Sequence, residues 1–397
     1  MAITANSPEG ERSALSAALY DPKVRGVFYQ AVTIIILVAF CWFIVTNTMD
    51  NLRALNRSFG FDFLEGRAGF NLGQALIPYS SDSTNTMALI VGLLNTLLIS
   101  LVGIVAATIV GFLVGMGRLS HNWLIAKLSQ AYVEIFRNIP PLLVIFFWYS
   151  GVLVLLPQAR DAVHLPFSSY LSNRGLAFPS PIFGAGMWAV GVAFLVAVAA
   201  VFFVARWAHR RQTATGQQFH TIWVSIGILI GLPLLVFLVT GMPLSFDYPV
   251  AGKFNLTGGT VIGPEFLALL LALSLYTASY IAEIVRAGIR GVAKGQSEAA
   301  GALGLRDSAI NRLIVLPQAM RIIIPPLTSQ YLNLIKNSSL AIAIGYADIV
   351  AVGGVILNQS GRAVEIVILW MVVYLILSIA TSLFMNWFNA KMALVER

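Results

Sequence analysis

Apolar runs long enough to cross a bilayer recur along this chain, and they constrain its fold more than any other feature. A spanning helix needs about 20 consecutive, largely apolar residues. Such runs fall near 28–46, 87–117, 138–156, 183–205, 221–241, 265–285, 323–353 and 364–388, which predicts eight transmembrane helices. Of the 397 residues 58% are hydrophobic and 11% charged, against about 25% charged in soluble domains. A soluble fold could not hide that much apolar surface, so the expected class is an all-α polytopic membrane protein. A cleaved signal peptide is the alternative for the first run. That run is long and leads into "TNTMDN" without an A-x-A-like site, so it reads as a retained span.

The net charge of +8 fits the same class and does not call for nucleic acid, because Lys and Arg collect in cytoplasmic loops. With the N-terminus inside and the spans alternating, the loop between the sixth and seventh spans holds Arg286, Arg290, Lys294, Arg306, Arg312 and Arg321. The outer segments hold only Arg53, Arg57, Arg67, Arg160, Arg174, Lys253 and Arg362. Both termini are therefore expected in the cytoplasm. Cys41 is the single cysteine, so no disulfide forms within the chain, and the four histidines show no metal-ligand spacing.

The inner loop 291–321, "GVAKGQSEAAGALGLRDSAINRLIVLPQAMR", is far longer than a bare connection needs. Its pattern predicts a first short helix over about Ser297–Leu303, kept narrow by Ala299, Ala300, Gly301 and Ala302. Gly304 permits a left-handed stop. Asp307 and Ser308 are candidate caps of a second helix, and Pro317 interrupts that helix or begins the turn after it. Two short helices offered to the cytoplasm suit insertion into a groove of another protein. An amphipathic helix lying on the lipid surface is the alternative.

This loop resembles the EAA loop of bacterial ABC importer permeases. The family pattern is E-A-A, three residues, G, nine residues, I-x-L-P. Glu298, Ala299, Ala300, Gly304, Ile314, Leu316 and Pro317 match it without exception, with Leu303 inside it. The resemblance implies that these residues form a coupling helix docking into a groove of an ATPase subunit. The segments "NTLLIS", "YVEIFRNIPPLLVIFFWY", "YTASYIAEIVRAGIRGVAKGQSEAAGALG" and "LPQAMRIIIPPLTSQYLNLIKNSSL" are similar to the polar amino-acid branch of that family, over about 88–156 and 265–390.

An ABC type I importer-like core of five helices is implied, at 87–157 and 263–390. To it are added an N-terminal tail (1–26), a first helix with a periplasmic loop (27–86), a two-helix insert (158–262) and a C-terminal tail (391–397). That layout looks like the larger permease of general L-amino-acid transporters. It implies as partners an ABC ATPase dimer, a second permease subunit, a periplasmic amino-acid-binding protein and the inner-membrane lipid, with polar L-amino acids as substrate. The chain contains no G-x-x-x-x-G-K-[ST], so it is expected to bind no cofactor and not to act as an enzyme. ATP and Mg are expected to be used by the separate ATPase.

Lys336 is the one cation within a span, and an ammonium costs about 2.5–3.5 kcal/mol at mid-bilayer on insertion scales. It is expected to face the translocation path with Asn337, Ser338 and Ser339 and to bind the substrate carboxylate. The alternative is an ion pair with a carboxylate such as Glu283. Glu283 and Arg286 are spaced (i, i+3), as are Glu134 and Arg137, and each pair is expected to shape a gate or interface. Pro140 and Pro141 should end a cytoplasm-side helix before the third span. Gly92, Gly103, Ala106, Ala107, Gly111 and Gly115 predict close helix packing of the second span. An ion-driven secondary transporter would show repeated halves, and a membrane enzyme a cluster of reactive groups. Neither pattern is found.

Overall fold

The computed structural model describes residues 22–54, 59–252 and 256–392. Most of the expected N-terminal tail, the end of the C-terminal tail, Arg57 and Lys253 lie outside the described residues. Among the described residues six helices are long and apolar enough to cross a membrane, and the number rises to eight where each of two bent helix pairs counts as one span.

Helix α1 (Pro22–Ala54) is apolar on all sides over its middle, and none of its residues is buried. Helix α2 (Asn85–Gly117) is capped by the Thr84 side chain, which accepts from Met87 N at 3.2 Å. The amphipathic α3 (Trp123–Asn138) is followed by α4 (Pro141–Phe146), which continues as a π-wound turn to Leu153. The axis bends by 110° between them. Pro140 and Pro141 make that corner, because a residue before proline is pushed to extended backbone. Ile139 is accordingly extended, at φ −105°, ψ 133°.

The insert is the pair α5 (Met187–Thr215) and α6 (Thr221–Val239). The spans are helical as expected, and short strands occur only in the outer loops among the described residues. Strands β1 (Val163–Leu165), β2 (Ser169–Ser172) and β3 (Gly175–Phe178) form an antiparallel sheet, with β4 (Ser180–Phe183) beyond them. After α6 come β5 (Leu244–Asp247), β6 (Val250–Ala251), β7 (Leu256–Thr257) and β8 (Thr260–Ile262). β4 pairs with β5 and β3 with β8, both antiparallel. The chain leading into the helix pair is thus clasped to the chain leaving it.

Helix α7 (Pro264–Arg290) is the centre of the core and packs along α2. A Cβ built at Gly111 would lie 2.6 Å from the Ile281 Cβ, and one at Gly115 would lie 2.8 Å from the Val285 Cβ. The small residues of the second span therefore serve close helix packing, as the pattern predicts. Five further helices complete the described chain. The first two are α8 (Lys294–Ala302) and α9 (Asp307–Ile310), which runs through a π-wound Asn311–Val315 into α10 (Leu316–Asn337) and a 3₁₀ segment, Ser338–Ile344. Then come α11 (Ile349–Ser360), bent 51° from its predecessor, and α12 (Ala363–Met392).

The outer loop 59–84 packs Phe63, Phe70, Leu72 and Tyr79 onto a small second core of Ala88, Val352, Ile356 and Ile366. This ties the outer ends of α2, α11 and α12 together.

Candidate functional site

Loop 291–321 projects from the end of α7, and its surface is unlike that of a buried connection. Leu303 is 83% exposed, Leu313 64% and Leu316 47%. Exposed leucines on a segment leaving a membrane span are apolar surface awaiting a partner. Glu298 and Ala299 face outward with them, whereas Ala300 is 3% exposed and turned inward. Its carbonyl accepts from Leu305 N at 3.2 Å. Only half of the Ala299–Ala300 pair is therefore on the accessible face. Gly304 has φ +77°, the left-handed stop that only a residue without a side chain adopts cheaply. Ile314 and Pro317 are half-buried.

Two details of the loop differ from the sequence expectation. Asp307 and Ser308 do not cap the second helix: the N-cap is Arg306, without a side-chain hydrogen bond, and Asp307 sits in the first turn. There its charge still suits the helix dipole. Pro317 neither interrupts the helix nor begins a turn after it. It lies at the start of α10, directly after the π-wound turn. The wider turn accommodates a residue that lacks an N–H, so the chain stays helical from Asp307 into the span.

Glu283 lies one helix end above this loop. Its carboxylate accepts from Arg286 on the same helix and from Arg118 at the C-cap of α2. All three side chains are mostly shielded, at 15–26% exposure. The (i, i+3) pair is present, and Arg118, 165 residues away in sequence, completes it. The cluster bolts α2 to α7 at the root of the loop. Glu134 and Arg137, at the same spacing, take other partners. Glu134 accepts from Gln130 Nε2 at 2.7 Å, and the Arg137 guanidinium stands over the Tyr280 ring at 5.4 Å from its centroid.

Lys336 is exposed on its helix and makes no ion pair among the described residues, while Glu283 is engaged by its two arginines. Ser339 donates to Lys336 O at 2.7 Å. Asn337 is half-buried. Ser338 is fully buried and donates to Ile335 O at 2.7 Å, so its hydroxyl is spent inward. Two residues that sequence reading passed over share the face of Lys336: Ser329 and Asn333 are exposed, one helical turn apart, and Ile322, Pro325 and Pro326 extend the same stripe. Their 3–4-residue spacing is the signal that reveals them. A stripe carrying Ser, Asn and Lys inside a span does not face lipid tails; it faces a polar cavity or a protein.

The family model of the binding-protein-dependent transport system inner membrane component matches residues 203–394. The chain is 70% identical to the general L-amino acid transport system permease protein AapQ of Rhizobium johnstonii, over 96% of this chain and 95% of the relative. It is 48% identical to the putative amino-acid ABC transporter permease protein YhdX of Escherichia coli, over 96% and 98%. It is 42% identical to the glutamate/glutamine/aspartate/asparagine transport system permease protein BztB of Rhodobacter capsulatus, over the full length of both.

Proposed function

This chain belongs to the binding-protein-dependent transport system inner membrane components, as an amino-acid ABC transporter permease, and from that premise we propose how it works. It lies in the bacterial inner membrane with both termini in the cytoplasm, and it moves polar L-amino acids inward by alternating access. A periplasmic binding protein delivers the amino acid to the outer loops. An ATPase dimer docks on Glu298, Ala299, Leu303, Leu313 and Leu316, and ATP with Mg is consumed there. A shorter second permease completes the path. The observation that carries this reading is the projecting loop with its bare leucines, set directly beneath the Arg118–Glu283–Arg286 cluster. A stroke delivered to α8 reaches α2 and α7 as one body through that cluster.

On the path itself, Lys336 with Asn333 and Ser329 meets the substrate. Lys336 supplies the charge that a carboxylate common to all amino acids needs. The hydroxyl and amide provide orientation without demanding one side chain. A ligand biases such a switch only by binding its two states unequally, so the stripe is expected to be open to one face at a time. Uptake into proteoliposomes, with and without the ATPase and the binding protein, tests the reading. Accumulation should require both. Accumulation by this chain alone under a proton gradient would overturn it.

A further inference from the structure

The first helix has no place in the core just described. All 33 residues of α1 are unburied, from Val24 to Met49 and beyond. Its apolar character does not choose a partner, because lipid would cover it as well as protein does. The chain that follows it does choose. Gly60 N donates to Glu365 Oε1 at 3.1 Å, and Glu365 is 1% exposed in the first turn of α12. Six residue steps separate Ala54 from Gly60, a reach of about 20 Å at most. Helix α1 therefore ends within about 20 Å of the outer end of α12.

A groove lies deeper along α12, its lining on that helix beginning at Leu377, about 21 Å below Ala363. One cavity of about 360 Å³ and an adjoining one of about 340 Å³ share Ile104, Tyr331, Phe384 and Met385, and so form one trough between α2, α10 and α12. Its walls are apolar, but its floor is not. Ser100 Oγ is buried there without a hydrogen-bond partner, and the Thr108 and Tyr331 hydroxyls meet at 2.9 Å. Hydrocarbon tails offer nothing to an orphaned hydroxyl, so lipid is the poorer filling.

The depths agree as well. Loop 59–84 levels the outer ends: Asn85 Nδ2 donates to Phe63 O at 2.8 Å while Gly60 is held by Glu365. At about 1.5 Å per residue, Cys41 lies about 20 Å below Ala54, Leu377 about 21 Å below Ala363 and Ser100 about 22 Å below Asn85.

We propose that α1 seats in the trough between α2, α10 and α12 of its own chain, antiparallel to α12, with Cys41 at the level of Ser100 and Leu377. Seated there, it seals the back of the core helix that carries Lys336 and turns a lipid-facing cleft into a packed interface.

The single native cysteine makes the test direct. Leu377→Cys and Ala380→Cys line the trough, whereas Ile379→Cys lies on the far side of α12. The complete transporter in native membranes is oxidised, and the permease is then cut at a protease site placed in the exposed inner loop at Gln217. Linked α1 and α12 fragments stay together on a denaturing gel. The trough positions should link to Cys41 at least about fivefold more than Ile379→Cys, which sits roughly a helix diameter of 10 Å further off. In a Cys41→Ser background, Thr33→Cys with Phe384→Cys gives a second, deeper pair for which the same register predicts linkage. Uptake by each variant before oxidation establishes that it is folded. Equal linkage at all positions, linkage of α1 to the second permease instead, or no linkage in variants that still transport would overturn the proposal.

Discussion

Replacing Leu303 by Ala removes the most exposed leucine of the projecting loop, and the structure sets the size of the effect. The side chain is 83% exposed in the isolated chain, so it contributes almost nothing to the fold. If an ATPase groove receives it, full burial is worth about 1.5–3 kcal/mol. A loss near 2 kcal/mol weakens docking about 30-fold, since 1.4 kcal/mol is tenfold. Binding of the ATPase subunit to the permease in nanodiscs reads that change directly, and coupled uptake should fall with it. Thermal unfolding of the permease alone should stay within about 0.5 kcal/mol, as for other exposed positions. Ala300→Asp makes the contrast, because Ala300 is 3% exposed and an unpaired charge there destabilises the subunit itself. Undiminished docking and uptake in Leu303→Ala would refute the assignment of this surface. A large fall in the stability of the isolated chain would show that the leucine is structural.

Three other outcomes follow from particular contacts. Gly111→Val should cost about 1–3 kcal/mol by overpacking, because even its Cβ would stand 2.6 Å from the Ile281 Cβ; Ile281→Ala in the same chain should restore part of the folded yield. Glu283→Gln strands two guanidiniums with no anion between them and should lower the melting temperature, by an amount equivalent to about 1–3 kcal/mol. A melting curve identical to the parent's would show the cluster to be ornamental. Lys336→Met should raise the uptake KM while leaving ATPase docking intact, and unchanged KM and rate would remove the lysine from the path.

Six spans were readable in the sequence because each is a single apolar helix long enough to cross a bilayer, whereas the other two runs fold as bent helix pairs. Close packing of α2 was readable too, since glycine and alanine on one helix have few other uses in lipid. Arg118 was not. Local spacing exposes Glu283–Arg286, but a partner 165 residues away becomes visible only when α2 and α7 are side by side. The outer strands escaped for a different reason: runs of two to four residues are too short to carry an alternation.

Pro317 opens α10 rather than breaking it, and every residue of the polar stripe follows it within that one helix. The π-wound turn before Pro317 keeps one helix running from Asp307 to Asn337. Along that continuous helix Ile322, Pro325, Pro326, Ser329, Asn333 and Lys336 fall on a single line, exposed together. As a local cluster, Lys336 would belong with its sequence neighbour Ser338, but the 3₁₀ winding turns that hydroxyl inward to Ile335. Read along the helix, it belongs with Asn333 and Ser329, which precede it by one turn and two turns rather than adjoining it in sequence. In the path proposed above, a lysine at the end of a polar stripe, unlike one in a polar knot, would pass a substrate along the membrane normal.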